Sequence, residues 1–532
     1  MNSKHSFLKG TIVLMAANAI SKILGAIFKI PLTYILHEEG MAIFNTAMSV
    51  YSTLLSLIVS GLPLAISRLI SNEYALKNFS TVKKTVKISV FLLSLLGMIG
   101  TVILYFGADF FAYAMKDPKA TLAIKVISPS VFFVALGTVF KSYFQGSVNM
   151  IPTATSQVIE SFIRLVVGFG AALLLKDTVI EITSAGAISG ITIGEIIATL
   201  ILFLMFLPSG RKLQKTQESY SNRTILKSIS NIAVPMLICS LVSGGIGLID
   251  TASIRNSLLN IRFTPKNVNS FLLIYSSYTT LFDDLTKTLK MTIDGARWLY
   301  GAYSGYALTI FHLPTGIISA LGTSVFPVIS GALAKNDKKL ANKTLLGALQ
   351  ITVIIILPCA LVLYMFSEEL LYLLFKNTAS AHLLSMLSPA LIFLCIADLF
   401  ILTLHAMGKV FEPFFYSLIG MIIKLLANII LIPIPQLNIA GAIIGSILAF
   451  FVIMILNARA VIKYNKIALL PVKTFLKPIL SVGVMFVIMK LIYQPLNIIF
   501  ASEIIALILS CLAGGLGYLL SLISTDTLKK EL

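Results

Sequence analysis

The chain has 532 residues, of which 57% are hydrophobic and only 12% are charged, and its mean hydropathy is +0.95. These values exclude an ordinary soluble domain and are typical of an integral membrane protein. The net charge of +19 fits basic cytoplasmic loops that face anionic lipid headgroups, so it gives no reason to expect a nucleic-acid partner.

Apolar runs of helical length recur along the chain and predict an all-α polytopic membrane protein with about 14 transmembrane helices. The predicted spans are 8–36, 41–72, 86–113, 121–146, 152–176, 184–208, 227–256, 298–333, 341–367, 378–406, 412–432, 438–462, 473–492 and 499–523. If the N-terminus is inside, most lysines and arginines fall in cytoplasmic segments. We therefore expect a multi-pass protein of the cell membrane with both termini in the cytoplasm.

An internal repeat relates the two halves of the chain. "QGSVNMIPTATSQVIESFIRLV" at 145–166 resembles "MGKVFEPFFYSLIGMIIKLL" at 407–426, and "AGAISG" at 185–190 resembles "AGAIIG" at 440–445. Because the matches keep their order, we expect two six-helix lobes in a pseudo-twofold repeat, with the substrate site between them and two extra C-terminal helices. The predicted domains are an N-lobe at 1–220, a C-lobe at 221–466, and the last two spans with a cytoplasmic tail at 467–532.

Five cations lie inside predicted spans, where a charge costs roughly 2.5–3.5 kcal/mol and commonly marks function. They are Lys22, Lys29, Arg68, Arg164 and Lys424. Seven residues turn a helix nearly twice, so Lys22 and Lys29 share one face about 10 Å apart. The alternative is that the long side chains reach the headgroups, which fits Arg68 best. Only three acids lie well inside spans, at positions 160, 195 and 398, so the buried balance is basic and favours an anionic, phosphate-containing substrate.

Three further positions leave alternatives open. Glu160 lies four residues before Arg164, the spacing of an intrahelical ion pair that would neutralise both charges. Asp250, beside "GGIG", is a candidate coupling-ion site, or else an interfacial acid or a partner for Arg255. His312 is a candidate titrating group, or else a packed, hydrogen-bonded histidine.

Enzymatic and metal sites are not predicted. The cysteines all fall in predicted spans without metal-ligand spacing, and no phosphate-binding glycine loop or catalytic triad is present in the sequence. A membrane glycosyltransferase would need paired carboxylates at the outer face. Asp283 and Asp284 are the only adjacent aspartates, and they fit a solvated loop in the long outer connection 257–297. We expect a transporter without cofactor or metal.

Several segments resemble a known family. They are "FLKGTIVLMAANAISKILGAIFKIPLTYILHEEGMAIFNTAMSVY" (7–51), "SGLPLAISRLISNEYALKN" (60–78), "SYFQGSVNMIPTATSQVIESFIRLV" (142–166) and "FHLPTGIISALGTSVFPVIS" (311–330). Over nearly the whole chain the sequence resembles the polysaccharide-transporter branch of the multidrug/oligosaccharidyl-lipid/polysaccharide (MOP) flippases, especially SpoVB-like and MurJ-like members. In MurJ-type proteins, arginines stand at Lys22 and within a residue of Lys29. A third arginine, before the proline of the eighth span, is absent here, where the chain offers Thr309 and His312.

The resemblance implies a flippase for a polyprenyl-pyrophosphate-linked saccharide, lipid II above all, moved from inner to outer leaflet by alternating access. It also suggests that the last two spans hold the prenyl chain along the second lobe; the alternative is that they only support the fold. The alternatives are an exporter of exopolysaccharide or teichoic-type lipid-linked oligosaccharides and a multidrug or cation antiporter of the same superfamily. The expected partners are the lipid-linked saccharide, membrane lipids and cell-wall synthesis proteins.

Overall fold

A computed structural model of the chain describes residues 2–59, 61–147, 149–211, 220–274, 285–334, 337–409, 411–465 and 472–524. These residues are almost entirely helical, and their β-structure is a single antiparallel bridge between Arg262 and Lys290. The predicted all-α polytopic fold is therefore confirmed. Asp283 and Asp284 lie outside the described residues.

The helices are α1 (Asn2–Val59), α2 (Leu62–Ala75), α3 (Phe79–Phe106), α4 (Ala108–Ala114), α5 (Thr121–Gly146), α6 (Ile151–Ile163), α7 (Phe169–Leu174), α8 (Ile180–Arg211), α9 (Asn222–Leu259), α10 (Pro265–Ile274), α11 (Leu285–Thr288), α12 (Ile293–Gly301), α13 (Leu308–Phe311), α14 (Thr315–Ala334), α15 (Lys338–Met365), α16 (Ser367–Phe375), α17 (Ala381–Ala406), α18 (Phe411–Leu431), α19 (Ala440–Asn465), α20 (Val472–Phe500) and α21 (Glu503–Ser524). A 3₁₀ turn (Pro118–Ala120) precedes α5. Two π-helical segments, Arg164–Gly168 and Ala302–Ala307, follow α6 and α12.

Eleven helical segments of the described residues are long and apolar enough to cross a membrane. The first of them, Ala16–Val59, covers most of the first and most of the second predicted span, because α1 is continuous except at His37 (φ 49°, ψ −166°). A multi-pass membrane protein is thus confirmed. The count of 14 spans stays a prediction.

The second predicted span has a break that the sequence analysis did not anticipate. Gly61 has φ 79°, and α2 begins immediately after it with a proline in its first turn. Glycine tolerates this backbone conformation, and Pro63 lacks the N–H group that would continue the preceding helix. The predicted single helix 41–72 is therefore the second half of α1 followed by α2.

The chain separates into two compact units. The first comprises Met1–Asn256 and Ile293–Gly301, and the second comprises Ser257–Thr292 and Ala302–Leu532. Most of α9, which we assigned to the C-lobe, thus packs with the first unit. The predicted lobe boundaries describe the sequence repeat and stay a prediction.

In the first unit, α5 lies at the centre and packs against α2, α3 and α8. Thr192 of α8 donates its hydroxyl hydrogen to the carbonyl oxygen of Val126 at 2.8 Å, and Thr199 donates to that of Phe133 at 2.8 Å. Residues 192, 195 and 199 share one helical face. The two hydroxyls therefore fix α8 with Glu195 on the face that packs on its neighbours.

In the second unit, α17 packs against α14, α15 and α19, while α18 packs on α19. The last two helices pack on each other, and α20 also packs on α15. The Tyr518 hydroxyl of α21 donates to the carbonyl oxygen of Ile354 in α15 at 2.9 Å. Leucines such as Leu512 and Leu516 remain exposed on α21, as expected for a lipid-facing surface.

The repeated glycine motifs have the same local role in each unit. A Cβ at Gly190, which ends "AGAISG", would lie 2.4 Å from the Gly168 nitrogen and 2.8 Å from the Arg164 carbonyl oxygen. A Cβ at Gly445, which ends "AGAIIG", would lie 2.9 Å from the Ala427 Cβ and 3.5 Å from the Lys424 carbonyl oxygen. Each glycine thus lets one helix approach the helix that carries a lone cation.

Candidate functional site

A polar pocket of about 410 Å³ lies within the first unit, where α1 meets α6 and the end of α5. It is lined by Asn18, Ser21, Lys22, Gly25, Lys141, Gln157, Glu160, Ser161 and Arg164. Three cations and one carboxylate therefore face one space inside a bundle of membrane-spanning helices. We call it the first-unit pocket.

Side-chain hydrogen bonds join α1 to α6 beside Lys22. Ser21 Oγ donates to the carbonyl oxygen of Gln157 at 3.2 Å, and Gln157 Nε2 donates to Asn18 Oδ1 at 2.6 Å. These bonds satisfy polar groups that would be costly to leave unpaired in a membrane. They hold the turn of α1 that presents Lys22, whose side chain is exposed, at the edge of the pocket.

Glu160 forms the ion pair that its spacing predicts. Its Oε1 accepts a hydrogen bond from Arg164 Nη2 at 2.5 Å, and its Oε2 lies 3.8 Å from Lys141 Nζ. Arg164 Nε is buried and has no hydrogen-bond partner among the residues that the structure describes. Arg164 is also the first residue of the π-helical turn, a feature often found at functional sites.

The structure brings together two of the five predicted cations. Lys22 and Arg164 line the first-unit pocket, whereas Lys29, two turns further along α1, is partly buried and does not line it. Arg68 is exposed on α2. Lys424 is partly buried on α18 in the second unit. The roles assigned to all five stay predictions.

Lys141 is a pocket residue that the sequence analysis missed. It lies near the end of the predicted span 121–146 and was not among the five cations placed inside the membrane. In the structure it is partly buried at the end of α5 and faces the Glu160 carboxylate. Sequence position gives depth along a helix but not which neighbour a side chain faces. The signal that could have found it is its position four residues before Gln145, where the repeat segment begins.

The two other candidates lie away from this pocket. Asp250 is partly buried on α9, and Arg255, its suggested partner, forms an ion pair with Asp117. His312 is exposed directly after α13, and its ring lies edge-on to that of Phe311 with centroids 5.0 Å apart. These positions test neither the coupling-ion role of Asp250 nor the titrating role of His312, so both roles stay predictions.

A second charged site, unforeseen from the sequence, is the arginine–aspartate cluster of Asp117, Arg255 and Arg297. Asp117 is 0% exposed, Arg255 1% and Arg297 2%. Arg255 Nη1 donates to Asp117 Oδ2 and, at 2.9 Å, to Thr46 Oγ1. Arg297 Nε donates to Asp117 Oδ1 at 2.8 Å. One carboxylate thus joins α9 and α12 to the turn before α5.

Acidic side chains complete the surroundings of Arg297. Its Nη1 donates to Asp294 Oδ1 and, at 3.3 Å, to Glu39 Oε1. Burial alone would lower the pKa of the Arg297 guanidinium, but the nearby carboxylates, Asp117 first among them, raise it above its ordinary value. Arg297 therefore remains charged, and we assign this cluster a structural role.

Comparisons with known proteins show which family the chain belongs to. Residues 7–333 match the family of polysaccharide biosynthesis proteins, over more than half of the chain. The chain belongs to this family. Residues 299–509 also match the family model of the lipid II flippase MurJ.

Two relatives of this polysaccharide biosynthesis family member come from Bacillus subtilis (strain 168). Stage V sporulation protein B is 26% identical over 468 residues, 88% of this chain and 86% of that protein. Lipid II flippase MurJ is 22% identical over 474 residues, 85% of this chain and 81% of that protein. The solved structure of lipid II flippase MurJ in an inward closed conformation superimposes with a TM-score of 0.71 at 18% identity, covering 98% of this chain and 100% of that chain, which shows a shared fold.

These matches confirm the resemblance drawn from the sequence. The chain is a membrane transporter of the MOP superfamily, with relatives named as a flippase and as a sporulation protein, and it is not an enzyme.

Proposed function

We propose that this protein is a flippase that moves a polyprenyl-pyrophosphate-linked saccharide, and lipid II in particular, from the inner to the outer leaflet. The observation that carries the proposal is the first-unit pocket, in which Lys22, Lys141 and Arg164 face one space with a single lining carboxylate. A cluster of cations among membrane-spanning helices is costly without an anion and attracts phosphate. Lysine contributes point charge and arginine a planar donor fork, so pyrophosphate recognition would combine both.

The pocket's charge also bears on the alternatives. An antiporter for cationic drugs needs acidic lining groups, whereas three cations against one carboxylate repel a cationic substrate. An exporter of exopolysaccharide or teichoic-type oligosaccharides would use the same polyprenyl-phosphate chemistry. Lipid II is favoured because a matched family model and a matched relative are both named for it.

The transport cycle that we propose is alternating access of the two lobes with both termini in the cytoplasm, supported by the sequence repeat and the basic loops. An inside-negative membrane potential favours outward movement of an anionic headgroup by about 2.3 kcal/mol per charge per 100 mV. The apolar faces of α20 and α21 would hold the prenyl chain. We further expect cell-wall synthesis proteins to receive the substrate outside.

The experiment is reconstitution into liposomes with a labelled lipid-linked saccharide. We expect a membrane-impermeant reagent to modify more labelled lipid II in vesicles with the protein than in empty vesicles, with no chemical change in the lipid itself. A polyprenyl-pyrophosphate-linked exopolysaccharide unit and a fluorescent cation serve as competing substrates. Transport of the cation alone would refute the proposal, and transport of the exopolysaccharide unit alone would reassign the substrate.

A further inference from the structure

A pair of buried carboxyl groups lies behind the first-unit pocket, and no step of the proposed cycle uses it. Glu160 is 9% exposed and lines the pocket, while Glu195 of α8 is 8% exposed and does not. A Cβ at Gly194, the residue before Glu195, would lie 3.7 Å from Glu160 Cγ, so the close approach of α8 to α6 brings the two glutamates together. A hydrogen bond between two carboxyl groups requires a proton, because an ionised carboxylate can only accept.

The helices are built to bring this pair together. A Cβ at Gly194 would lie 3.0 Å from the carbonyl oxygen of Glu160, so glycine lets α8 lie close to α6 at this level. The hydroxyls of Thr192 and Thr199 fix the same face of α8 to α5. Glu195 is therefore held against Glu160 by backbone contacts on both sides.

Three charged or titratable side chains surround the pair from the neighbouring elements. Arg164 and Lys141 contact Glu160 from the π-helical turn and from α5. Tyr51 of α1 is buried and lies near Glu195 and Glu160. Both cations form their ion pairs with Glu160, so the negative charge of the pair is stabilised on Glu160 and the shared proton stays on Glu195.

Glu160 occupies the two cations that an incoming phosphate would use. Arg164 Nη2 is 2.5 Å from Glu160 Oε1, and Lys141 Nζ is 3.8 Å from Oε2. A phosphate that takes these donors must displace the Glu160 carboxylate. The displaced carboxylate would then lie beside another anion without a counter-ion, which is unfavourable in a low-dielectric site.

We propose that Glu160 is an internal competitor for the anionic substrate and that its displacement is coupled to uptake of one proton. This inference rests on the proposed function. When a phosphate binds Arg164 and Lys141, the Glu160 oxygen that Arg164 leaves accepts a proton from the aqueous pocket, and the pair with Glu195 becomes neutral. When the phosphate leaves, Glu160 returns that proton to water and pairs with Arg164 again.

Binding linked to proton uptake becomes tighter as pH falls, by at most about tenfold per pH unit for one proton. The test uses the purified full-length protein in nanodiscs and farnesyl pyrophosphate as the probe. Isothermal titration calorimetry in two buffers of different ionisation enthalpy gives the protons taken up per probe bound. The probe's own titration is common to all variants and cancels when they are compared.

Two substitutions on the same carboxyl pair provide the contrast. Glu160→Gln should bind the probe more tightly at neutral pH and take up about one proton fewer than the unsubstituted protein, since the competitor and the acceptor are both gone. Glu195→Gln should keep the proton uptake, since its amide can donate to Glu160 as the protonated acid does. Glu181→Gln, near the start of the same helix and outside the pocket, is the matched control and should change neither quantity.

The outcomes separate the two proposals. If the unsubstituted protein binds farnesyl pyrophosphate but Glu160→Gln takes up as many protons as it does, the coupling is refuted while the phosphate site stands. If Glu160→Gln binds more weakly, Glu160 is a structural partner of Arg164 and not a competitor. If the folded protein binds no farnesyl pyrophosphate at any pH, the proposed function itself fails. If Glu160→Gln does not fold, the unsubstituted protein alone decides. The coupling is refuted if this protein takes up no more protons on binding than the titration of the probe accounts for.

Discussion

Arg297 Nε lies 2.8 Å from Asp117 Oδ1, although the two residues are 180 positions apart in the chain. Arg255 bonds the other oxygen of the same carboxylate. All three side chains are buried, so the arginine–aspartate cluster holds the end of α9 and the start of α12 on the first unit. This explains why most of α9 packs with the first unit although the sequence repeat places it in the second lobe.

Asp117→Asn should destabilise the protein strongly, because it leaves two buried guanidinium groups without their shared anion. Removing one partner of a buried ion pair costs about 3–5 kcal/mol. The measurement is the thermal unfolding midpoint in detergent. Asp109→Asn removes an exposed carboxylate that lies 3.4 Å from Lys125 Nζ, and it should leave the midpoint nearly unchanged. Equal thermal unfolding midpoints for Asp117→Asn and Asp109→Asn would show that the arginine–aspartate cluster does not stabilise the protein.

Gly190→Ala should lower both thermal stability and transport, because the added methyl group meets the backbone of Gly168 and Arg164. Relief of this contact must move α8 away from the π-helical turn that carries Arg164. Overpacking of this kind typically costs about 1–3 kcal/mol. Gly170→Ala is the matched control, since a Cβ there meets no atom within 4 Å. A Gly190→Ala protein with the control's midpoint and transport rate would contradict the close approach.

Much of the fold follows from the sequence, and the reasons for the exceptions are physical. The predicted span 412–432 is α18 (Phe411–Leu431), because its apolar run is bounded by charge and proline. The break at Gly61 was missed because an apolar pattern continues through it. Hydropathy and helical period reveal how deep a residue lies and which side chains share a face. They do not reveal which side chain of another helix a residue contacts. Lys22 was therefore recognised as a site residue, while Lys141 and the buried Asp117 were not.

Single cysteines test the proposed orientation in a background without the four native cysteines. A cysteine at Lys338, at the start of α15, should react with a membrane-impermeant thiol reagent only after the membrane is opened, and so should one at Lys212, which lies outside the described residues. Lys376→Cys, an exposed position after α16, should react in intact cells. Labelling of Lys338→Cys in intact cells would reverse the topology.

Photo-crosslinking tests the proposed position of the prenyl chain. A photoreactive residue at Leu516, exposed on α21, should crosslink a prenyl-labelled substrate more strongly than the same residue at Leu95, exposed on α3 of the first unit. Both positions are apolar and lie on candidate membrane-spanning helices, so lipid exposure alone predicts equal yields. Equal yields would indicate that α20 and α21 support the fold without holding the substrate.

The central claim is that cations of the first-unit pocket bind the substrate's pyrophosphate, and Lys22 tests it most directly. The measurement is the rate of lipid II translocation in proteoliposomes by Lys22→Ala and Lys22→Arg, with Lys83→Ala, an exposed lysine on α3, as control. We expect Lys22→Ala to lose at least about tenfold in rate, since a hydrogen bond to a charged group contributes roughly 1.5–3 kcal/mol. Lys22→Arg, which keeps the charge, should retain appreciable transport, and Lys83→Ala should match the unsubstituted protein. Normal transport by Lys22→Ala, inserted and folded at normal levels, would contradict the account.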